Sequence, residues 1–397
     1  MSKVRDQYET YPYPERDPKD EKKRLITGSP SLPQEIDHFI YGGARDWSKP
    51  LRILVAGGGT GDGLIQITTL LSQYDKPYEA TYIDLSTASR KVAEARAKVR
   101  GLKNINFLTK SLLDAAEHGP FDYIDCCGVL HHLPDPDAGF SALRAALAPG
   151  GGMGFMVYAP YGRSGVYPLQ EAYAALSHDM PPKDRLKLGR KVFDRLPDGH
   201  PLKSNPNLHD HKSGDAGFYD LLMHSQDRAF DVTELNNTLE RTGWRLAGFT
   251  TPILYDLSRL TDIPEGMSTV EAMAIAEKLN GTIRIHTGYA VASDHDRAIA
   301  SGNNRAMVPH IKGVQARALA QAAQQGQSPK LDTDGVKGTL TLPKASAPLL
   351  AAIDGRRSLD DIARLTGTDP ISFGATWMQV EKALLPWGML VYSTVLR

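Results

Sequence analysis

The fold of this chain can be inferred from one stretch, Leu51-Arg-Ile-Leu-Val-Ala-Gly-Gly-Gly-Thr-Gly-Asp-Gly63. Its apolar start suits a buried strand, which leads directly into a glycine loop, and a helix-compatible segment follows from about Leu64. A second apolar run contains Tyr82-Ile-Asp-Leu-Ser86, with Asp84 about 23 residues after Gly61. Strand, glycine turn, helix, strand and acid in this order predict the first half of a nucleotide-binding α/β domain.

The spacing of the loop glycines separates two classes of nucleotide. A dinucleotide fingerprint has the form G-x-G-x-x-G, and its third glycine would fall on Asp62 or Leu64 in the two available registers. The pattern that fits is G-x-G-x-G, formed by Gly57, Gly59 and Gly61. This spacing argues against a dinucleotide, while the glycines still allow a tight turn and a close approach of the backbone to a ligand.

Three further stretches follow the loop in order. They are Asn106-Phe-Leu-Thr-Lys-Ser-Leu-Leu-Asp114, Phe121-Asp-Tyr-Ile-Asp-Cys-Cys-Gly-Val-Leu-His-His-Leu-Pro-Asp-Pro136 and Ala142-Leu-Arg-Ala-Ala-Leu-Ala-Pro-Gly-Gly-Gly152. Together with the loop, this series resembles the class I S-adenosylmethionine-dependent methyltransferases, in particular their small-molecule members. The resemblance implies an α/β fold with a doubly wound seven-stranded sheet, S-adenosyl-L-methionine as cofactor, and a methyltransferase activity.

The resemblance also implies a set of cofactor contacts. They are Gly57, Gly59 and Gly61 along the methionine end, Asp84 and Leu85 at the ribose, Ser111 and Leu112 at the adenine, and Gly128 after strand four. The chain departs from the family at two positions. Val55 replaces the usual acid two positions before the first loop glycine, so a contact to the methionine end or the loop is missing or supplied elsewhere. Ser111 replaces the acid of the adenine turn, and Asp114 is an alternative partner there.

The catalytic candidates are His131 and His132, because they follow strand four at the carboxyl end of the sheet, where ligands bind. Each has two open roles: contact with the substrate or a proton, or shaping of the cofactor pocket. A base is needed only if the nucleophile must lose a proton. Tyr158 and Tyr161 follow strand five and either reach the substrate or pack beneath a cap.

A second polar cluster raises the question of a metal. His209 and His211 lie two apart, and Asp220 and His224 lie four apart, on one face if that stretch is helical. The alternatives are a metal site, a polar lining of the substrate pocket and a solvated loop. Because the first pair lies in a loop and no cysteine accompanies it, we predict no metal.

The chain divides into three predicted parts: an N-terminal arm or lid at 1–48, a methyltransferase domain at 49–295 and a C-terminal, mainly helical module at 300–397 that resembles winged-helix modules. A cap insertion is expected at about 161–230. The arm holds Tyr8, Tyr11 and Tyr13, which are costly to leave in water. We therefore expect the arm to fold back over the glycine loop, either as part of the site or as a simple anchor.

The expected elements of the domain alternate between strand and helix. Strands are predicted at 51–56, 79–84, 104–108, 121–127, 152–158, 244–251 and 281–293, and helices near 62–74, 87–100, 137–147, 232–242 and 268–279. In the module, helices are predicted at 315–327, 345–353, 358–365 and 371–385, and strands at 339–343 and 388–393.

The composition gives no electrostatic attraction to nucleic acid or to acidic membranes, since 46 basic residues balance 46 acidic ones. No apolar run approaches the roughly 20 residues that span a bilayer, and the polar N-terminus predicts no signal peptide. The two adjacent cysteines, Cys126 and Cys127, point to opposite faces of a strand and are not expected to form a bridge. These features predict a cytoplasmic protein, with a homodimer as one possibility.

The sequence therefore predicts a methyltransferase that acts on an O, N or C nucleophile, with a small-molecule acceptor favoured over a protein. Two alternatives stay open. One is a protein methyltransferase that docks its partner through the C-terminal module, and the other is a regulatory protein that binds S-adenosylmethionine without catalysis.

Overall fold

The computed structural model describes residues 3–296 and 298–397. Its centre is a seven-stranded sheet in the order β3-β2-β1-β4-β5-β7-β6. The strands are β1 Leu51–Ala56, β2 Tyr78–Asp84, β3 Ile105–Thr109, β4 Phe121–Cys127, β5 Leu147–Tyr158, β6 Trp244–Phe249 and β7 Ile285–Ala292. All neighbours pair in parallel except β7, which is antiparallel to both β5 and β6. The predicted doubly wound sheet is confirmed.

Helices cover both faces of this sheet, because its strands carry apolar side chains on both faces. The helices are α2 Pro33–Tyr41, α3 Asp62–Gln73, α4 Thr87–Arg100, α5 Pro136–Ala145, α9 Val232–Arg241 and α10 Thr269–Asn280. Ile53 and Val55 of β1 pack on the face of α2, α3 and α4, while Leu54 and Ala56 belong to the apolar cluster of α5, α9 and α10. Asp231 caps α9, because its side chain accepts from the backbone N–H of Glu234.

The N-terminal arm and the cap are more helical than the sequence indicated. The arm begins with α1, Lys3–Thr10, and the cap consists of α6 Val166–Leu176, α7 Pro182–Asp194 and α8 Gly214–Met223. Helix α7 was not predicted, although a proline at its first turn is a typical start signal. The cap has its own apolar cluster, to which Tyr11 of the arm adds its ring.

The C-terminal module contains β8 Pro309–Ile311, α11 Ala316–Gln325, β9 Lys330–Thr333, β10 Val336–Thr339, α12 Ala347–Ala351, α13 Leu359–Thr366, α14 Pro370–Leu384 and β11 Leu390–Tyr392. Strands β8 and β11 pair with each other, and β9 and β10 form a hairpin. The predicted strand at 339–343 is wrong, since β10 ends at Thr339. Asp334 and Gly335 form the turn with φ angles of 46° and 82°, and this Asp-Gly pair is a hairpin signal that would have located both strands.

The module docks on α2 through a buried carboxylate. Asp37 is fully buried, and its Oδ2 accepts hydrogen bonds from the indole of Trp47 at 3.0 Å, the hydroxyl of Ser393 at 2.8 Å and the backbone N–H of Thr394 at 2.9 Å. Its Oδ1 accepts from the N–H of Arg45 at 2.9 Å. One acid thus ties the end of the chain to the helix that covers the sheet.

Candidate active site

A cavity of about 510 Å³ lies at the carboxyl ends of the parallel strands, and the loops after β1, β3 and β4, the arm and the cap all line it. The structure brings to this cavity the predicted residues Gly57, Gly59, Asp84, Leu85, Ser111, Leu112, Gly128 and His132. It places Gly61 and His131 outside the lining. Ligand sites in open α/β sheets occupy this position.

The loop after β1 needs glycine for steric reasons. Gly57 and Gly59 have φ angles of 66° and 52°, and a Cβ atom at Gly57 would lie 2.5 Å from Val129. Gly61 serves a different purpose, because a Cβ atom there would lie 2.9 Å from the Cβ of Ala93 in α4. Gly61 therefore lets α3 start close against α4.

Asp84 stands at the end of β2 with both oxygens fixed. Oδ2 accepts from the N–H of Gly59 at 2.8 Å, and Oδ1 accepts from the N–H of Ser86 at 2.7 Å. Burial raises the pKa of this carboxyl, against the lowering effect of backbone hydrogen bonds from Ser86, Gly59 and Leu85. Each oxygen keeps a second acceptor site, so the pair is arranged to take two hydroxyl groups of a ligand.

Ser111 and Leu112 form the opposite wall beyond β3. The Ser111 hydroxyl oxygen accepts from the N–H of Leu113 at 3.2 Å, which leaves its own hydrogen free to donate. Leu112 is buried and offers an apolar surface. Asp114 does not line the cavity.

Asp125 is a cavity residue that sequence reasoning missed. It lies in β4 directly beside Val55 of β1 in the sheet register, and both side chains line the cavity. Its Oδ2 accepts from the hydroxyl of Ser29 at 2.6 Å and from that of Ser31. Burial raises the pKa of the Asp125 carboxyl. An acid inside the apolar run 121–127 was the available signal, since charge in a buried strand is rare.

The arm closes over the glycine loop, which confirms the expected fold-back. The hydroxyl of Thr60 donates to the carbonyl oxygen of Pro14 at 2.7 Å, and a Cβ atom at Gly59 would lie 3.0 Å from the carbonyl oxygen of Tyr13. The guanidinium of Arg16 donates to Asp62 at the start of α3 at 2.7 Å.

The end of the cavity under the cap centres on Asp220 of α8. Tyr8 of α1 donates its hydroxyl to Oδ1 at 3.1 Å, and Tyr158 at the end of β5 donates to Oδ2 at 3.4 Å. Burial raises the pKa of Asp220 to about 7. Tyr161 does not line the cavity.

The two histidines after β4 occupy different environments. His132 donates its Nδ1–H to the carbonyl oxygen of Gln226 at 2.9 Å, so its Nε2 keeps a lone pair. His131 is fully buried against Tyr158, with ring centroids 3.8 Å apart, and neither of its ring nitrogens has a hydrogen-bond partner within the described part of the chain. Only His132 is placed to meet a ligand.

Two groups of potential metal ligands occur in the part of the chain that the structure describes: His131, His132 and Asp227, and His132, Asp220 and His224. Neither includes the predicted pair His209 and His211. In the second group, His224 accepts from the N–H of Gln226 through Nδ1 at 3.1 Å. Its Nε2 therefore carries the hydrogen toward Tyr8, 3.2 Å away. In this tautomer His224 has no lone pair left for a metal.

The strand order with an antiparallel β7, the glycine loop and the acid at the end of β2 define a class I methyltransferase fold. Residues 54–153 match the family model described as a methyltransferase domain. Over residues 54–153 the chain therefore matches a family of methyltransferase domains that use S-adenosylmethionine as methyl donor, and its sheet has the class I fold.

Among known proteins, the chain is similar to an uncharacterized protein of Synechococcus sp., with 36% identity over 219 residues that cover 53% of this chain and 51% of that protein. The chain thus spans about half the length of this relative. It is also 38% identical over 73 residues to a ubiquinone biosynthesis O-methyltransferase of Paracidovorax citrulli, covering 18% of this chain and 31% of that one.

Among solved structures, PKMT2 from Rickettsia typhi in complex with AdoHcy is similar over 94% of this chain and 77% of its own, with a TM-score of 0.61 at 14% identity. At this identity the likeness concerns the fold. Within residues 3–296 and 298–397, no helix combines the length and apolar character needed to cross a membrane.

Proposed function

We propose that this chain transfers the methyl group of S-adenosylmethionine to a small molecule held between the N-terminal arm and the cap. One observation carries the proposal: of the five described aspartates that line the cavity, Asp84, Asp125 and Asp220 are held by uncharged hydrogen-bond donors. None of them takes part in any of the ion pairs found among the described residues. A carboxylate removed from water without a cation is costly, so the cavity suits a cationic ligand.

The cavity residues fit this cofactor, which supplies an activated methyl group on a positively charged sulfur when bound. Asp84 presents two fixed oxygens to the ribose hydroxyls, and Ser111 and Leu112 offer a hydroxyl and an apolar wall to the adenine. The glycine loop lets the backbone approach the chain between them. Asp125 faces the place where the methionine ammonium would lie.

Asp125 thus supplies the contact whose usual residue is absent at Val55. Its carboxylate reaches the cavity from the neighbouring strand rather than from the end of β1. Ser29 and Ser31 orient it, and an ammonium group would supply the positive charge that it lacks in the protein.

A small acceptor is favoured because the far end of the cavity is covered from several sides. Leu208, Asp210 and Asp220 of the cap, Tyr8 of the arm and Arg163 after β5 all line it. Such a covered end suits a molecule that enters whole. A protein acceptor is the second candidate, since the likeness to PKMT2 extends over nearly the whole chain.

The test uses S-adenosylmethionine labelled in its methyl group. Incubation with a cell extract is expected to label the low-molecular-weight fraction, while the Asp84→Asn variant leaves it unlabelled. Label in the protein fraction alone would transfer the proposal to a protein acceptor. Cofactor binding with no label in any fraction would favour a regulatory binder.

A further inference from the structure

We propose that Asp220 holds the nucleophilic atom of the acceptor through its hydrogen and receives that hydrogen as a proton, so that the acceptors are hydroxyl- or amine-bearing molecules. This inference rests on the proposed function and identifies the acceptor subsite of the same cavity.

The acceptor subsite is built around Asp220 by residues from three different elements. Asp220 comes from the cap, Tyr8 from the arm and Tyr158 from the end of β5, and the two hydroxyls hold one oxygen each of the carboxylate. The side chain is only 4% exposed overall but lines the cavity. Three separate elements thus orient one carboxylate toward the ligand space.

The position of Asp220 relative to the proposed ribose end follows from the contacts of Tyr8 and Tyr158. The backbone oxygen of Tyr8 accepts from the hydroxyl of Ser86 at 3.2 Å, and Ser86 directly follows the loop residue after Asp84. Tyr8 therefore spans from the proposed ribose end to Asp220. Gly128 donates its N–H to the carbonyl oxygen of Met156 at 3.0 Å, which brings the loop after β4 beside the end of β5 that carries Tyr158. Tyr8 and Tyr158 thus link Asp220 to the segments that follow β2 and β4.

The charged groups around Asp220 leave its carboxylate without an ion-pair partner among the described residues. Besides the two tyrosines, the titratable and charged groups around Asp220 are Tyr13, His132, Arg163, Asp210, His224 and Asp227. The guanidinium of Arg163 lies over the Tyr158 ring at 3.6 Å and pairs with Asp227 at 3.2 Å, so it is already engaged. None of the ion pairs found among the described residues includes Asp220.

Asp220 is also a better proton acceptor than His132. Burial lowers the pKa of His132 and raises that of Asp220 to about 7. A base whose pKa lies near the working pH combines availability with strength. His132 remains suited to accept a hydrogen bond through Nε2.

In the proposed step, one bond to the methyl carbon forms and one breaks. The acceptor atom forms a bond to the methyl carbon, the carbon–sulfur bond breaks and its electron pair remains on the sulfur. The proton of the acceptor passes to Asp220, which becomes a neutral acid and later releases the proton to solvent. An acceptor without such a hydrogen gains nothing from this carboxylate.

The experiment compares two probes of known structure by calorimetry. S-Adenosylhomocysteine carries a neutral sulfur, whereas sinefungin carries a protonated amine in place of the methylated sulfonium. At pH 8 we expect the wild type to bind sinefungin about tenfold or more tightly than S-adenosylhomocysteine, since the amine points at an unpaired carboxylate. This preference should shrink at pH 5.5, where Asp220 is protonated.

The Asp220→Asn variant should lose the preference and keep its affinity for S-adenosylhomocysteine, which also shows that it folds. Asp215→Asn is the matched control, because Asp215 lies on the same helix outside the cavity lining and forms an exposed ion pair with Arg190, and it should keep the preference. A preference that survives in Asp220→Asn, or is absent from the wild type, would overturn the inference. Failure of the wild type to bind either probe would instead overturn the proposed function.

Discussion

Asp84, Asp125 and Asp220 each reduce the stability of the protein, because burial raises the pKa of each carboxyl and thus opposes its ionised form. Their charged neighbours Asp62 and Asp227 are different, since both pair with arginines. A protein keeps such unpaired acids in one cavity when a ligand uses them.

Replacement of Asp125 tests its role at the methionine end. We expect Asp125→Asn to bind S-adenosylhomocysteine about tenfold more weakly and to bind 5′-methylthioadenosine, which lacks the amino acid part, as the wild type does. Calorimetric titration with both ligands measures the difference. An equal loss for the two ligands would mean that Asp125 only supports the loop.

Replacement of Asp220 should reveal its cost to stability. An aspartate has a pKa of about 3.9 in an unfolded chain and Asp220 one of about 7 in the folded protein, so its contribution to stability falls as the pH rises from about 4 to about 7. We expect Asp220→Asn to raise the free energy of unfolding by about 1–3 kcal/mol at pH 8 and to change it little at pH 4. Urea unfolding at the two pH values measures this, and a variant less stable at pH 8 would contradict it.

At the scale of elements, the arm lines the cavity and contacts the glycine loop. Its contacts with the glycine loop come from Pro14 and Arg16. Asp62, which receives Arg16, is also held by Arg96 at 2.6 Å. Arg96 therefore still holds Asp62 if Arg16 is replaced, and we expect the arm to act as a gate over the glycine loop.

Arg16→Gln should loosen this gate without unfolding the loop. We expect S-adenosylhomocysteine to dissociate about tenfold faster, since a charged hydrogen bond that holds the arm is lost. Lys23→Gln is the control, because Lys23 forms an exposed ion pair with Asp20 of the arm. Stopped-flow measurement of dissociation tests this, and equal rates in Arg16→Gln and the wild type would show that the arm does not gate the site.

The strands and the loop after β1 could be predicted from the sequence, whereas some residues of the cavity could not. The alternation of apolar runs with helical segments is sufficient for the parallel strands, because these signals are local, whereas the seven-stranded order is implied by the family resemblance. The sequence gives no cavity role to Asp125, and a lining of the substrate pocket is one of three alternatives for Asp220, since both roles depend on partners far along the chain, such as Ser29 and Tyr8. The Asp334-Gly335 turn is a local signal that indicates the hairpin of β9 and β10.

At the scale of the whole molecule, the C-terminal module and the methyltransferase domain are joined by buried polar contacts. Asp37 accepts hydrogen bonds from Trp47, which precedes β1, and from Thr394 of the module. Lys312 of the module pairs with Glu35 of α2. Such contacts suggest that the two parts unfold together.

Asp37→Asn should destabilise the entire chain. The NH2 group of an asparagine would face either the N–H of Arg45 or the donors of Trp47, Ser393 and Thr394, so a buried donor loses its acceptor at a cost of about 2–4 kcal/mol. Asp137→Asn, which removes an exposed ion pair with Arg241, should cost at most about 1 kcal/mol. Thermal unfolding followed by circular dichroism should show a single transition at lower temperature for Asp37→Asn. Two separated transitions in the wild type would refute the coupling.

The central claim is that the cavity binds S-adenosylmethionine, and calorimetric titration tests it most directly. We expect binding in the micromolar range to the wild type, no binding of NAD, and a loss of about tenfold or more in Asp84→Asn, where hydrogen bonds to a charged group disappear. Binding of NAD, or unchanged affinity of the Asp84→Asn variant for S-adenosylmethionine, would contradict the assignment of this site.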